Sequence, residues 1–234
     1  MTSQLPPRPL NLSTLHQAIM EHLVERGAAP TLATLAGRFG TGEEAVGRKL
    51  LDLQAEHGVV LHPGTTDIWV AHPFSTAPTL FSIESERGHR WSNCAWCSMG
   101  AAALLGGEVR ITTTLGGESR QVTVEISGGE LQRDDLFVHF PVPMRKVWDN
   151  VIYTCSVMLV FDSVPAIDAW CERHGIPRGD VQPLRNVWEF AKVWYGNHLK
   201  ADWTKWTAEE AGALFRQFGL EGETWELPGG NTRF

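Results

Sequence analysis

Cysteine is the residue type with the most distinctive chemistry in this sequence of 234 residues, and it occurs at Cys94, Cys97, Cys155 and Cys171. Two of these form the motif Cys94-Ala95-Trp96-Cys97, between a predicted loop at 88–93 and a predicted helix at 98–105. A thiol at the start of a helix lies near free backbone N–H groups and the helix dipole, which favour the thiolate. Because thiolates attack electrophiles and bind soft metals, the motif predicts a reactive or metal-binding site.

Three other interpretations of the CxxC motif stay open. Free cysteine is among the most buried residue types, so both thiols can simply fill space in the core. A thioredoxin-like redox pair needs a preceding strand in a βαβ unit, and the predicted loop at 88–93 does not supply one. A structural zinc site needs two further ligands at close spacing, and no second CxxC or HxxxH motif follows.

The other two cysteines have ordinary surroundings when each is considered alone. Cys155 lies within Tyr153-Thr154-Cys155-Ser156-Val157, on an apolar run at 151–161 that predicts a buried strand. Cys171 lies in Ala169-Trp170-Cys171-Glu172 on a predicted helix. Core packing is the default interpretation of both thiols.

The composition is that of a soluble globular protein, with 43% hydrophobic and 20% charged residues. The net charge of −7 argues against extensive nucleic-acid contact, which relies on clustered Lys and Arg. Residues 1–7 lack the features of a secretory signal, and no apolar run is long enough to cross a bilayer. We therefore expect a cytoplasmic protein, in which reduced thiols are better suited to catalysis or metal binding than to disulfides.

Residues 10–72, after a Pro-rich leader, have the pattern of a winged-helix-like domain. Apolar spacing predicts helices over 12–23, 32–39 and 46–53, followed by a hairpin that pairs 59–61 with 68–70. Ser13 is the predicted cap of the first helix, Gly27 its end, and Thr41 the start of the third helix. More acidic than basic residues lie on that third helix, namely Glu43, Glu44, Asp52 and Glu56 against Arg48 and Lys49. Since such a face repels phosphates, DNA binding is not expected.

Residues 73–200 predict a mixed sheet with flanking helices, so the predicted fold class is α+β. Short strands are expected at 79–83, 109–113, 122–126 and 136–140, followed by the longer strand at 151–161 that carries Cys155. Helices are expected at 166–174, 187–198 and 207–218, the first of them after Ser163-Val164-Pro165. Residues 201–234 form a predicted Trp-rich helical extension, whose tryptophans are interpreted as core or interface anchors.

The cysteine spacing and the order of elements resemble the organomercurial (alkylmercury) lyase family. The Cys94-Ala95-Trp96-Cys97 motif is followed about sixty residues later by Cys155 and then by Ser163-Val164-Pro165. That family has a winged-helix-like N-terminal region, a mixed β core, a Trp-Cys motif at the head of a helix, and a second cysteine on a strand upstream of a Ser-Val-Pro turn. The resemblance covers roughly residues 10–200.

The resemblance implies roles for individual residues. Cys97 and Cys155 match the two essential cysteines and are the expected catalytic thiols and mercury ligands. Cys94 is an extra thiol that either serves as a third sulfur ligand, relays a proton, or only packs. Three positions after the first cysteine the family usually carries a carboxylate, and this sequence has Gly100 there. An active enzyme would then take its proton from a cysteine thiol or from another acid nearby, such as Asp149 or Asp162.

The activity that the resemblance implies is protonolysis of a carbon–mercury bond, which gives a hydrocarbon and bound Hg(II). Two thiolates hold the soft metal while an acid protonates its carbon, so joint coordination needs the two sulfurs within about 5 Å. No cofactor is expected, since Hg(II) or another thiophilic metal is substrate or product. The expected partners are a small organometallic or thiophilic ligand and small thiols, without nucleic acid or membrane.

Two alternatives to the lyase remain at this point. Because Gly100 stands in place of the carboxylate, the chain could be a relative that binds a thiophilic metal ion or organometal without turnover. It could also act on a non-metal substrate in a pocket shaped by the Trp-rich C-terminal third.

Overall fold

The computed structural model describes residues 8–228 and 233–234. Within these ranges the chain has an α+β fold, as predicted. The helices are α1 Leu12–Arg26, α2 Leu32–Phe39, α3 Glu43–Ala55, α4 Ala95–Leu105, α5 Val151–Val157, α6 Val164–His174, α7 Leu184–Tyr195 and α8 Ala208–Gln217. The strands are β1 Val60–Leu61, β2 Ile68–Ala71, β3 Phe74–Ser75, β4 Phe81–Ser85, β5 Gly88–Ser92, β6 Val109–Thr114, β7 Gln121–Ser127, β8 Glu130–Leu131, β9 Phe137–Phe140, β10 Val160–Phe161 and β11 Asp180–Pro183. The first seven residues of the predicted Pro-rich leader, and residues 229–232 of the predicted C-terminal extension, lie outside the described part of the chain.

The strands form two antiparallel sheets. The larger sheet has eight strands in the order β1-β2-β3-β5-β4-β6-β7-β8, and the smaller has the order β10-β9-β11. The predicted hairpin is present as β1 and β2, with Val60 opposite Val70, and β2 continues directly into the sheet through β3. The three N-terminal helices are thus joined to the core through a shared sheet.

Helix α4 lies at the centre of the molecule. It packs against β3 to β6 of the large sheet and, on another side, against α7. Its sequence, Ala-Trp-Cys-Ser-Met-Gly-Ala-Ala-Ala-Leu-Leu, has no charged residue, and a helix that is apolar all round is stable only when it is buried. The predicted start at residue 98 is wrong by three positions, because Cys94 caps the helix and residues 95–97 already belong to it.

The N-terminal helices form where the apolar spacing predicts them, but two of the predicted caps are wrong. Asn11, not Ser13, caps α1, because its side chain accepts the N–H of Thr14 while Thr14 bonds back to Asn11. Helix α3 begins after Gly42, which provides no side-chain cap, rather than at Thr41. The predicted end of α1 is confirmed, since Gly27 has φ 73°.

Two segments differ from their predicted structure. The run at 151–161 is not one strand: it forms α5, capped by the side chain of Asn150, and only Val160–Phe161 pairs as a strand. A short apolar run rich in β-branched residues cannot be told from a buried helix by periodicity alone. The predicted loop at 88–93 is largely strand β5, but it lies in an antiparallel sheet and not in a βαβ unit.

The C-terminal residues complete the core instead of forming a separate surface. Trp194 stacks on Phe215 with ring centroids 5.7 Å apart, and Trp225 packs against Phe140 at 4.9 Å. The predicted capping box of Thr207 and Glu210 is present at the start of α8. Along the described residues, the structure contains no helix that is both long and apolar enough to span a membrane.

Candidate functional site

A cavity of about 80 Å³ lies where α4, α5 and α7 meet the segment that follows α7. Three of the four cysteines line it, Cys94, Cys97 and Cys155, together with several tryptophans and histidines. Within the described part of the chain, no Asp or Glu lines this cavity. Asp149 is exposed, and Asp162 is paired with Arg120 on the surface, so neither acid considered from the sequence reaches the thiols.

Helix α4 presents two of the thiols. Cys94 occupies the cap position, and its sulfur accepts the backbone N–H of Cys97 at 3.3 Å. The N–H of Ala95 donates to the carbonyl of Met158, which ties the start of α4 to the end of α5. Cys97 therefore lies in the first turn of a helix that is buried from Ala95 to Ala102, where the helix dipole favours a negative charge. Cys94 has a definite structural role as a cap, whereas its predicted role as a metal ligand stays a prediction.

The third thiol comes from a distant part of the chain. Helix α5 carries Cys155, and its sulfur lies within 4.8 Å of the sulfur of Cys97. This distance meets the requirement of about 5 Å for joint coordination of one soft metal ion. The structure thus brings the two expected catalytic cysteines together, although Cys155 lies on a helix instead of the predicted strand.

His72 completes this cluster and was not found from the sequence. It follows β2 directly, its Nε2 lies 3.8 Å from the sulfur of Cys155, and one of its ring nitrogens lies within 4.8 Å of both sulfurs. Thiolate and imidazole together are a ligand set for soft and borderline metals. No spacing relates His72 to either cysteine, because 25 and 83 positions separate them along the chain. The sequence therefore carries no signal that would have identified it.

Tyr195 is the second residue that sequence reasoning missed. It ends α7, is buried, and places its hydroxyl 3.5 Å from the sulfur of Cys97. Its ring fills the space beside Gly100, where a Cβ atom would lie only 2.1 Å from the ring carbon Cδ2. The one available signal was the glycine itself, in the middle of an otherwise regular apolar helix.

The three thiols differ in acidity. Burial by itself raises the pKa of Cys97, but hydrogen bonds from Cys155 and Cys94, the charge of His72 and the Tyr195 hydroxyl bring it well below its ordinary value. Hydrogen bonding to Cys94 and Cys97, together with burial, raises the pKa of Cys155, and burial raises that of Cys94. The site thus favours one thiolate, on Cys97, with protonated thiols beside it.

Lys205 lies on another wall of the cavity. Its ammonium lies 4.0 Å from the centre of the Trp148 ring, and no hydrogen-bond partner is present among the described residues. Burial lowers the pKa of Lys205 to about 7, while the ring contact favours the charged form. Close by, His16 stacks on Trp203 with centroids 3.5 Å apart. The tryptophans of the C-terminal segment therefore belong both to the core and to the wall of this cavity.

Cys171 lies outside the site. Its sulfur contacts the ring of the buried His139 at 3.5 Å, beneath α6. This agrees with its interpretation as a packing residue and makes it a useful reference thiol.

Two cysteines and a histidine from three separate elements, at one wall of an aromatic cavity, define a thiol site suited to a soft, electrophilic ligand on an α+β scaffold. Residues 74–196 match the MerB alkylmercury lyase family, which is more than half of the chain. The chain therefore belongs to the alkylmercury lyase family. The matched region contains Cys94, Cys97, Cys155 and Tyr195, and His72 precedes it by two residues.

A comparison with solved structures supports the fold. The crystal structure of the mercury-bound form of MerB2 is similar with a TM-score of 0.61 and 20% sequence identity, over 81% of this chain and 97% of that chain. At this identity the likeness concerns the fold alone. A search of the curated proteins gave no match.

Proposed function

We propose that this protein cleaves the carbon–mercury bond of a small organomercurial by protonolysis, with Cys97 and Cys155 as the sulfur ligands of mercury. The observation that carries the proposal is the approach of these two sulfurs to within 4.8 Å of each other at the wall of a cavity. Membership of the alkylmercury lyase family supports the same reaction. The contacts around Cys97 and Cys155 differ, so the two thiols have different roles in the proposed reaction.

Cys97 captures the substrate. Its lowered pKa makes it the thiolate of the site, and the thiolate is the form that attacks a soft electrophile. Cys155 then gives its proton to the thiolate or hydroxide that leaves the mercury, and binds as the second sulfur. Two thiolates increase the electron density on the metal-bound carbon, which prepares that carbon to accept a proton. The surrounding aromatic side chains limit the access of water, so charges inside the cavity interact strongly.

The size of the cavity favours short alkyl groups. A cavity of about 150 Å³ holds benzene in another protein, and the cavity here measures about 80 Å³. Methylmercury is therefore the first probe to use. Excess small thiol is included, because it removes Hg(II) from the two cysteines after cleavage and allows turnover.

The test is methane release from methylmercury chloride, followed by gas chromatography. We expect the unmodified protein to release methane, and both Cys97→Ser and Cys155→Ser to fall to the rate of a protein-free sample. Cys171→Ser is the matched control, since it removes an equally buried thiol outside the site. It should keep the unmodified rate. Methane release by Cys97→Ser at the unmodified rate would show that the assignment of the thiols is wrong.

A binding protein without turnover is the second candidate, favoured by the lack of any Asp or Glu around the cavity in the described part of the chain. It predicts uptake of one Hg(II) per chain without methane release. That uptake should be lost in Cys97→Ser, and equal uptake by this variant would exclude the candidate.

A further inference from the structure

We propose that Tyr195 is the catalytic proton donor of this site, and that its phenol O–H protonates the carbon as the carbon–mercury bond breaks. This inference rests on the proposed lyase function and deepens it. Protonolysis requires an acid that touches the reacting group, and in the described ranges no Asp or Glu lines the cavity. The proton must therefore come from one of the cysteine, histidine, lysine or tyrosine side chains that line the cavity.

The position of the phenol is the first argument. The Tyr195 oxygen lies 3.5 Å from the sulfur of Cys97 and, among the described residues, has no other hydrogen-bond partner. A metal held by Cys97 lies one bond from that sulfur, so the hydroxyl is next to the metal and the carbon attached to it. A general acid must be within hydrogen-bond reach of the atom that it protonates.

The second argument is how firmly the phenol is positioned. Helices α4 and α7 pack against each other, and the Tyr195 ring lies directly on the backbone of Gly100. The rings of Trp96 and His198 flank it, at centroid distances of 6.1 and 4.9 Å. Any side chain at position 100 would occupy the space of the ring, so the glycine is what admits the tyrosine. The lack of a side chain at position 100 thus allows the phenol of Tyr195 to lie beside Cys97.

The other proton carriers in the cavity are less suitable. Cys155 loses its proton to the thiolate or hydroxide that leaves the mercury when its sulfur becomes the second ligand, which occurs before both sulfurs can act on the carbon. His72 faces the sulfur of Cys155, where its nitrogen is placed as a third ligand. Lys205 lies over the ring of Trp148, and within the described ranges its amine makes no hydrogen bond to a sulfur.

The proposed step is balanced in charge and in atoms. The alkylmercury cation, held by two thiolates, carries one net negative charge. The carbon–mercury bond breaks, its electron pair forms the new carbon–hydrogen bond, and the proton comes from the Tyr195 oxygen. The products are the hydrocarbon, neutral Hg(II) dithiolate and the tyrosine phenolate, so mercury is neither oxidised nor reduced. Water that enters after the hydrocarbon leaves returns a proton to the phenolate.

Tyr195→Phe tests the inference, because it removes only the hydroxyl and keeps the ring against Gly100. With methylmercury chloride as the probe, we expect methane release to fall by at least about 100-fold, within the usual range for a lost general acid. Capture should persist, so mass spectrometry of the intact protein should show the chain with methylmercury still attached. The unmodified protein should instead accumulate bound Hg(II) when no small thiol is added.

Tyr153→Phe is the matched control, since Tyr153 is the only other tyrosine and is 45% exposed. It should release methane at the unmodified rate. If Tyr195→Phe cleaves methylmercury at that same rate, the inference is wrong while the lyase function stands. If this variant no longer captures methylmercury, the hydroxyl serves to activate Cys97 and the inference is again wrong. If the unmodified protein itself releases no methane, the proposed lyase function fails, and the inference fails with it.

Discussion

Gly100 and Tyr195 depend on each other across the interface of α4 and α7. An added Cβ at position 100 would lie 2.1 Å from the tyrosine ring, and the neighbouring atoms on α4 are buried. Interiors as densely packed as this cannot absorb an extra methyl group without moving the ring. The position at which the family resemblance leads us to expect a carboxylate is therefore filled by the ring of Tyr195 and is not an empty space.

Gly100→Ala should destabilise the protein and impair the site. We expect the free energy of unfolding to fall by about 1–3 kcal/mol, the typical cost of overpacking, measured by urea denaturation. Gly37→Ala is the matched control, because Gly37 is an exposed helical glycine with no atom within 4 Å of the added Cβ. That control should gain about 0.5–1 kcal/mol from helix propensity. Unchanged stability of Gly100→Ala would mean that the ring is not held against the helix.

At the scale of elements, a buried cation on the large sheet binds the end of the first N-terminal helix. Arg90 on β5 is only 4% exposed, and its guanidinium donates to the carbonyls of Leu23 and Val24 at the end of α1, each at 2.8 Å. The carbonyl of Leu23 also accepts the N–H of Gly27, whereas Arg90 is the one partner found for the carbonyl of Val24 among the described residues. No acidic side chain pairs with Arg90 in the described residues, so its bonds are entirely to the backbone.

Arg90→Met should loosen this attachment. It keeps an apolar chain of similar length but leaves the buried carbonyl of Val24 unpaired, which costs about 1–3 kcal/mol. We expect the urea midpoint to fall accordingly, while methane release per folded molecule stays within about twofold, since the site is on other elements. Arg110→Met provides the control, because Arg110 on β6 of the same sheet is 58% exposed and pairs with Glu125 at the surface. An equally small stability change, below about 0.5 kcal/mol, in both variants would contradict the structural role of Arg90.

At the scale of the whole molecule, the stability of the fold depends on pH because a lysine amine is buried at the wall of the cavity. Burial lowers the pKa of Lys205 from 10.5 to about 7 in the folded chain. Between these values the unfolded chain binds a proton that the folded chain does not, so stability rises with pH from about 7 towards 10.5. Conversely, stability falls as the pH is lowered from 10.5 towards 7, and below about 7 the amine is charged in both states, so this dependence ends.

Lys205→Met should remove this dependence. At pH 7 we expect the variant to melt about 2–4 °C higher, which corresponds to about 1 kcal/mol in a chain of this size. The difference should shrink as the pH is raised towards 9.5, because the unfolded chain then holds its proton less strongly and releasing that proton on folding costs less. Lys200→Met, at an exposed position nearby, should follow the unmodified protein at every pH. A constant difference between Lys205→Met and the unmodified protein across this range would contradict the assigned pKa.

Local patterns determined much of this protein in advance. The spacing of apolar residues and the turn residues between them predict the three N-terminal helices, the hairpin and most strands, because these depend on neighbours only a few positions apart. In the same way, Cys94-Ala95-Trp96-Cys97 before an apolar helix predicts a thiol with unusual acidity. The domain boundaries at residues 72 and 200 stay predictions, and the hairpin that was placed before the first of them belongs to the large sheet.

Only the tertiary structure decided which groups meet in the cavity. Cys155, His72 and Tyr195 come to Cys97 from 58, 25 and 98 positions away, and periodicity carries no information over such separations. Whether the run around Cys155 is a strand or a helix was also decided there, because both bury an apolar side and only the packing against α4 and the cap at Asn150 favour the helix. The sequence by itself determined a pair of thiols at the head of an apolar helix, and the packing of α4, α5 and α7 decided what those thiols face.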